Sequence, residues 1–194
     1  MKILTPVLVI LVVVLSSQHS AAQSIQFARE EIAVNVGGSS CWLDADYYFA
    51  NHGSMAAGWS IYYPLINTDT LPFPDSIMVA DASTGGALAF EKSANGVLFF
   101  LNIPPEGTRK IRVRYHQQTP AERFEYILTT TKAWGRPLER ADFHIMVPDS
   151  LQLTSCSPAF DVKDKIEHAT VYAISRYDFM PASNLVVQWK RRTQ

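Results

Sequence analysis

The chain has 194 residues, with 17 Lys and Arg against 18 Asp and Glu, a formal net charge of −1 and a pI near 6.5. That balance excludes a nucleic-acid or membrane-surface binder driven by net charge. No G-x-S-x-G, H-E-x-x-H, C-x-x-C or P-loop motif occurs, so none of those catalytic or nucleotide-binding devices is present and no cofactor is expected.

Residues 1–22 carry one basic residue, Lys2, then a nine-residue apolar run from Val7 to Leu15, then polar residues ending in the small pair Ser20 and Ala22. The order is that of a secretory signal peptide, and the run is far short of the roughly twenty residues of a membrane anchor. Cleavage after Ala22 is expected. Residues 23–194 then form one exported domain, periplasmic or extracellular, with no further membrane segment and a possible subdivision at 119–121, where Pro120 interrupts the strands. Cys41 and Cys156 are expected to pair as a disulfide, since an oxidising compartment favours bridges.

From there the chain falls into short runs of period two separated by Gly, Pro, Asn and Asp. "EEIAVNV" aligns Ile32, Val34 and Val36. "CWLDADYYF" aligns Cys41, Leu43, Ala45, Tyr47 and Phe49 on one face, with Trp42, Asp44, Asp46 and Tyr48 on the other. "WSIYY" stops at Pro64, "SIMVA" begins after Pro72 and Pro74, and "ALAFE" follows the turn "STGG". "GVLFFLNI" is apolar almost throughout and predicts a strand covered on both faces. "RKIRVRYH" alternates Ile111, Val113 and Tyr115 with Arg112, Arg114 and His116, the second set being a solvated face. Beyond Pro120 come "RFEYILTTT", "ADFHIMV", "LQLTSC", "HATVYAIS" and "NLVVQW", while "SPAFDVKDKIEH" has room for a single helical turn. The pattern predicts an all-β, immunoglobulin-like β-sandwich of ten to twelve mainly antiparallel strands.

The face of Trp42, Asp44, Asp46 and Tyr48, joined by Trp59 from the next strand, is the candidate ligand-binding site. Exposed aromatic planes beside carboxylates stack sugar rings and bond their hydroxyls. Asp44 and Asp46 have the spacing for a shared cation with His52 or a loop oxygen, yet no third or fourth acidic ligand stands nearby, so no metal is expected. Histidines 52, 116, 144 and 168 are scattered, and a hydrolase would need a pocket joining Cys156 or a serine to one of them and a carboxylate.

The phrases "AREEIAVNV", "DADYYFANHG", "YYPL", "FPDSIMV", "IPPEGTRKIRVRYHQ" and "YILTTTKAWGRPLERADFHIMVPDSL" together resemble uncharacterised exported bacterial β-sandwich modules. The opening strands are also similar to the vault and inter-alpha-trypsin type of module. The resemblance implies a fold and an exported setting and brings no catalytic residues. The reading that follows is a non-enzymatic interaction or structural module of the bacterial envelope with a protein or polysaccharide partner. A carbohydrate-binding module and a small envelope hydrolase are the alternatives.

Overall fold

In the computed structural model, residues 24–192 are described, and the expected signal peptide lies outside them. The described residues form thirteen strands. In chain order they are β1 (Ile25–Val36), β2 (Ser40–Asn51), β3 (Ala57–Pro64), β4 (Ser76–Asp81), β5 (Phe90–Ser93), β6 (Gly96–Ile103) and β7 (Thr108–Gln118). There follow β8 (Arg123–Tyr126), β9 (Leu138–Pro148), β10 (Leu151–Ser157), β11 (Val162–Ile166), β12 (Ala169–Phe179) and β13 (Leu185–Arg191). A short 3-10 helix, Thr129–Trp134, is closed by Gly135 at φ 69°, a backbone conformation that suits glycine.

Seven strands make one large sheet in the order β11-β12-β9-β1-β2-β7-β4, and two three-stranded sheets, β10-β13-β8 and β3-β6-β5, bury residues in the same core. All pairings are antiparallel except β1 with β9. The chain is thus all-β, as alternation predicts, but with thirteen strands and a mixed seven-stranded sheet. Its order is not the four-on-three, wholly antiparallel pairing of an immunoglobulin domain.

Period two explains which face of the large sheet is buried. Ile32, Val34 and Val36 of β1, Leu43, Ala45, Tyr47 and Phe49 of β2, Ile111, Val113 and Tyr115 of β7, and Phe143, Ile145 and Val147 of β9 all point into one core. Phe124, Tyr126, Leu185, Val187 and Trp189 reach the same core from beyond Pro120, so residues on both sides of 119–121 share it. Strand β1 changes phase once. A register shift between Phe27 and Arg29 inserts Ala28 as an extra residue, after which the inward positions are Glu30, Ile32 and Val34.

Three local expectations are corrected. "GVLFFLNI" (β6) is covered on one face only: Val97, Phe99, Leu101 and Ile103 are buried, while Phe100 is 61% exposed and Leu98 lies open beside it. The segment given a helical turn contains strand β11 instead. Cys41 and Cys156 are both free thiols, one in β2 of the large sheet and the other in β10 of a small one. Sheet pairing, which joins residues distant in sequence, sends the two strands to different places.

Candidate functional site: an aromatic cavity between the sheets

The outward face of the large sheet places the predicted residues in rows. One row runs Tyr177, Arg140, Arg29, Tyr48, Lys110 across β12, β9, β1, β2 and β7, and the next runs Ser175, Asp142, Glu31, Asp46, Arg112. Arg112 holds Asp46 through two hydrogen bonds of 2.7 Å, and Lys110 stands 2.7 Å from the same carboxylate. Burial alone would raise the Asp46 carboxyl, but the hydrogen bonds from Arg112 and Lys110 outweigh it and hold the group below the usual carboxylate range. Asp44 accepts from Arg114 at 2.7 Å. The Tyr48 hydroxyl donates to Glu31 at 2.8 Å, and its ring lies between Arg29 and Lys110 at 5.3 and 5.1 Å from the cations. The carboxylates that were to meet a ligand are therefore already paired by the cross-strand register.

Trp42 does stand on this face, 54% exposed, with its ring 4.6 Å from that of His116. Trp59 does not join it. Strand β3 pairs with β6 in a different sheet, and the Trp59 ring packs inward against Trp134 at 6.1 Å. The row of coplanar rings that a sugar platform needs is not formed by Trp42, Tyr48 and Trp59. Nor does the face gather a cation site: no cluster of three or more His, Cys, Asp or Glu with metal-binding geometry occurs among the described residues.

Where Trp59 goes instead is informative. It lines a cavity of about 220 Å³ between the large sheet and β3, walled by Phe27, Phe49, Phe99 and Trp134, with Tyr47, Tyr63 and Tyr126 contributing the polar groups. Tyr62, Thr130 and Ala133, also in the lining, are exposed and place its mouth between β3 and the 3-10 helix. The Phe27 and Phe49 rings stack at 5.2 Å, and Trp134 lies 5.9 and 5.6 Å from them. The Tyr47 hydroxyl is within 2.9 Å of both the Tyr63 and the Tyr126 hydroxyls, so three phenols from β2, β3 and β8 meet in one hydrogen-bonded chain. Burial, the largest cause for each, keeps all three phenols far above their ordinary titration range, so they act as neutral donors and acceptors.

Behind the phenols stands Glu30, 1% exposed and carried inward by the phase change in β1. Tyr126 hydrogen-bonds its carboxyl, while its Oε1 is buried with no partner. Burial raises the carboxyl to about 8, and the Tyr126 bond only partly offsets that. Sequence reading passed over this residue because a glutamate beside a strand looks solvated. The signal was there: Glu30 is two before Ile32, hence on the inward side.

Cys156 lacks the features of a nucleophile. Its Sγ donates to the Pro158 carbonyl at 3.3 Å, and burial raises its thiol to about 11. Among the histidines, His52 is bonded to Gln26 at 2.9 Å and His116 to Asp75 at 2.7 Å.

No family model and no curated protein matches the chain. Solved structures do share its fold. A candidate nutrient-binding protein from Legionella pneumophila aligns at TM-score 0.68 and 12% identity over 86% of this chain and 67% of its own. An M1 zinc metallopeptidase from Deinococcus radiodurans aligns at TM-score 0.52 and 12% identity over 85% of this chain, which spans only 42% of the peptidase. At such identities the likeness is one of fold.

Proposed function

We propose that this chain is a non-enzymatic, exported binding module that takes a small ring-containing molecule into the cavity between β2, β3 and the 3-10 helix. One observation carries the reading: an aromatic-walled cavity of about 220 Å³ is lined by three tyrosines whose hydroxyls converge on one another. Binding sites combine apolar walls with a few placed polar groups in this way. A dry core cavity of about 150 Å³ accepts benzene, so this one has room for a single ring with a short polar substituent. Among the fold relatives, the Legionella protein is a candidate nutrient-binding protein, and a small ligand for this chain accords with that. The outward face of the large sheet supports a partner surface less well, because its charges are engaged with one another. A thiol hydrolase has least support, since Cys156 is held protonated with no histidine bonded to it.

Calorimetric titration of the full chain with benzyl alcohol tests the proposal. One saturable site with a dissociation constant of about 1 mM or tighter is expected, as suits a ligand of this size. Ala133→Trp, at the exposed mouth, should abolish it. An absence of heat, or binding indifferent to Ala133→Trp, contradicts the cavity as the site.

A further inference from the structure

Resting on the cavity reading, we infer that the ligand is a small organic cation, a primary ammonium carried on a one-ring apolar body. Its charge is held by the aromatic walls and, through the tyrosine hydroxyls, by Glu30. Four features converge on this class. None of the residues lining the cavity carries a charge of its own, so an anion would find no counter-ion there. The walls include the rings of Phe27, Phe49, Trp59 and Trp134, and a cation within about 6 Å of an aromatic face is attracted by the ring quadrupole. The Tyr63 hydroxyl lies 2.9 Å from that of Tyr47 and also interacts with Tyr126; when it donates to Tyr47, its oxygen keeps a lone pair for an ammonium N–H. Finally, the chain leads back to a buried carboxyl with an unpartnered oxygen, a group whose charge is unfavourable alone and favourable beside a cation.

The surroundings of Glu30 leave the cation as the missing partner. Tyr47 is opposite it on β2, Tyr126 reaches it from β8, and the uncharged Ala141 adjoins it on β9, with Tyr63 of β3 one hydroxyl further away. Glu30 takes part in no ion pair among the described residues. When an ammonium enters, the carboxyl gives its proton to solvent. Tyr126 then donates to the carboxylate, Tyr47 to Tyr126 and Tyr63 to Tyr47, which turns the Tyr63 oxygen toward the cation. The ligand keeps its own charge throughout, so one proton leaves the protein for each cation bound.

Titration of the full chain with benzylammonium chloride and with benzyl alcohol, at pH 6.5 and 8.5 in two buffers of different ionisation heat, separates this claim from the one beneath it. The expectation is that benzylammonium binds at least tenfold more tightly than benzyl alcohol and releases close to one proton at pH 6.5. Release should be markedly smaller at pH 8.5, with correspondingly tighter binding. Glu30→Gln should lose the proton release and the preference for the cation. If benzyl alcohol binds and is blocked by Ala133→Trp, yet benzylammonium binds no better or releases no proton, the cation claim fails and the cavity reading stands. If neither probe binds, both fail. Should Glu30→Gln not fold, the proton count of the unmodified chain decides alone.

Discussion

Because burial raises the Glu30 carboxyl from 4.5 to about 8, the unfolded chain has released a proton between those values that the folded chain still holds. Unfolding therefore becomes easier as pH rises through that window, by up to about 1.4 kcal/mol per pH unit, and the penalty levels off above pH 8. Glu30→Gln removes the titration. The variant should be more stable than the parent at pH 8 by on the order of a few kcal/mol, and nearly equal to it at pH 4.5. Urea unfolding at both values checks this, and a difference that does not grow with pH counts against a buried, proton-bearing Glu30. Asp142 behaves in the opposite sense. Burial pushes its carboxyl up, but the Arg140 guanidinium in ion-pair contact at 2.7 Å, a hydrogen bond from Ser175 at 2.8 Å and Arg29 at 3.3 Å hold it below the ordinary value of 3.8. Its contribution is complete above that value and is lost as pH falls through the lowered one. With its arginine partners partly solvated, Asp142→Ala is expected to cost about 1–2 kcal/mol at pH 7 and much less at pH 2.5.

Within single elements, period two was legible wherever the strand kept its phase and alternated apolar with polar residues. The two faces of β2 and of β7 fall where alternation puts them, because the direction of a strand side chain depends only on its immediate neighbours. What alternation does not contain is pairing. Trp59 and Trp42 look like neighbours one hairpin apart, yet β3 leaves for another sheet, and the site residues Tyr47, Tyr63, Tyr126 and Trp134 converge from four separate segments. The apolar run of β6 likewise misled, since hydrophobicity shows what a strand is able to bury and not what covers it. Glycines at two strand positions give a test of the packing around that strand. An added Cβ at Gly96 would lie 2.5 Å from the Tyr63 backbone oxygen, where nothing swings aside, whereas at Gly58 it would meet the ring of Phe100 at 2.5 Å, a surface side chain free to rotate. Gly96→Ala should cost about 1–3 kcal/mol and Gly58→Ala less than about 1. Equal denaturation midpoints for the two variants would contradict this account of β3 and β6.

On the scale of the whole molecule, one sheet of seven strands divides two chemistries. Its outer face is a mesh of paired charges in cross-strand register, and its inner face closes a largely apolar core that holds the aromatic cavity and the Glu30 carboxyl. Opposite linkages follow from the two faces. Asp46 and Asp142 stabilise above their unfolded value of 3.8, and Glu30 destabilises above 4.5, so these groups together favour the fold most at about pH 4 to 5. A stability profile measured from pH 3 to 9 should decline on both sides of that region; a maximum above pH 7 would show that Glu30 does not govern the alkaline limb. The large-sheet face, which looked from the sequence like the site, thus holds the fold together. On the proposed reading, the ligand enters the cavity behind it.

The most direct test is to titrate the full chain with benzylammonium and follow the aromatic side-chain resonances by NMR. The account predicts saturable shifts confined to the cavity rings, Trp59 and Trp134 together with Tyr47, Tyr63 and Tyr126, while Trp42 and Tyr177 on the outer face stay unmoved. Shifts centred on Trp42 and Tyr177, or none at saturating ligand, would contradict it.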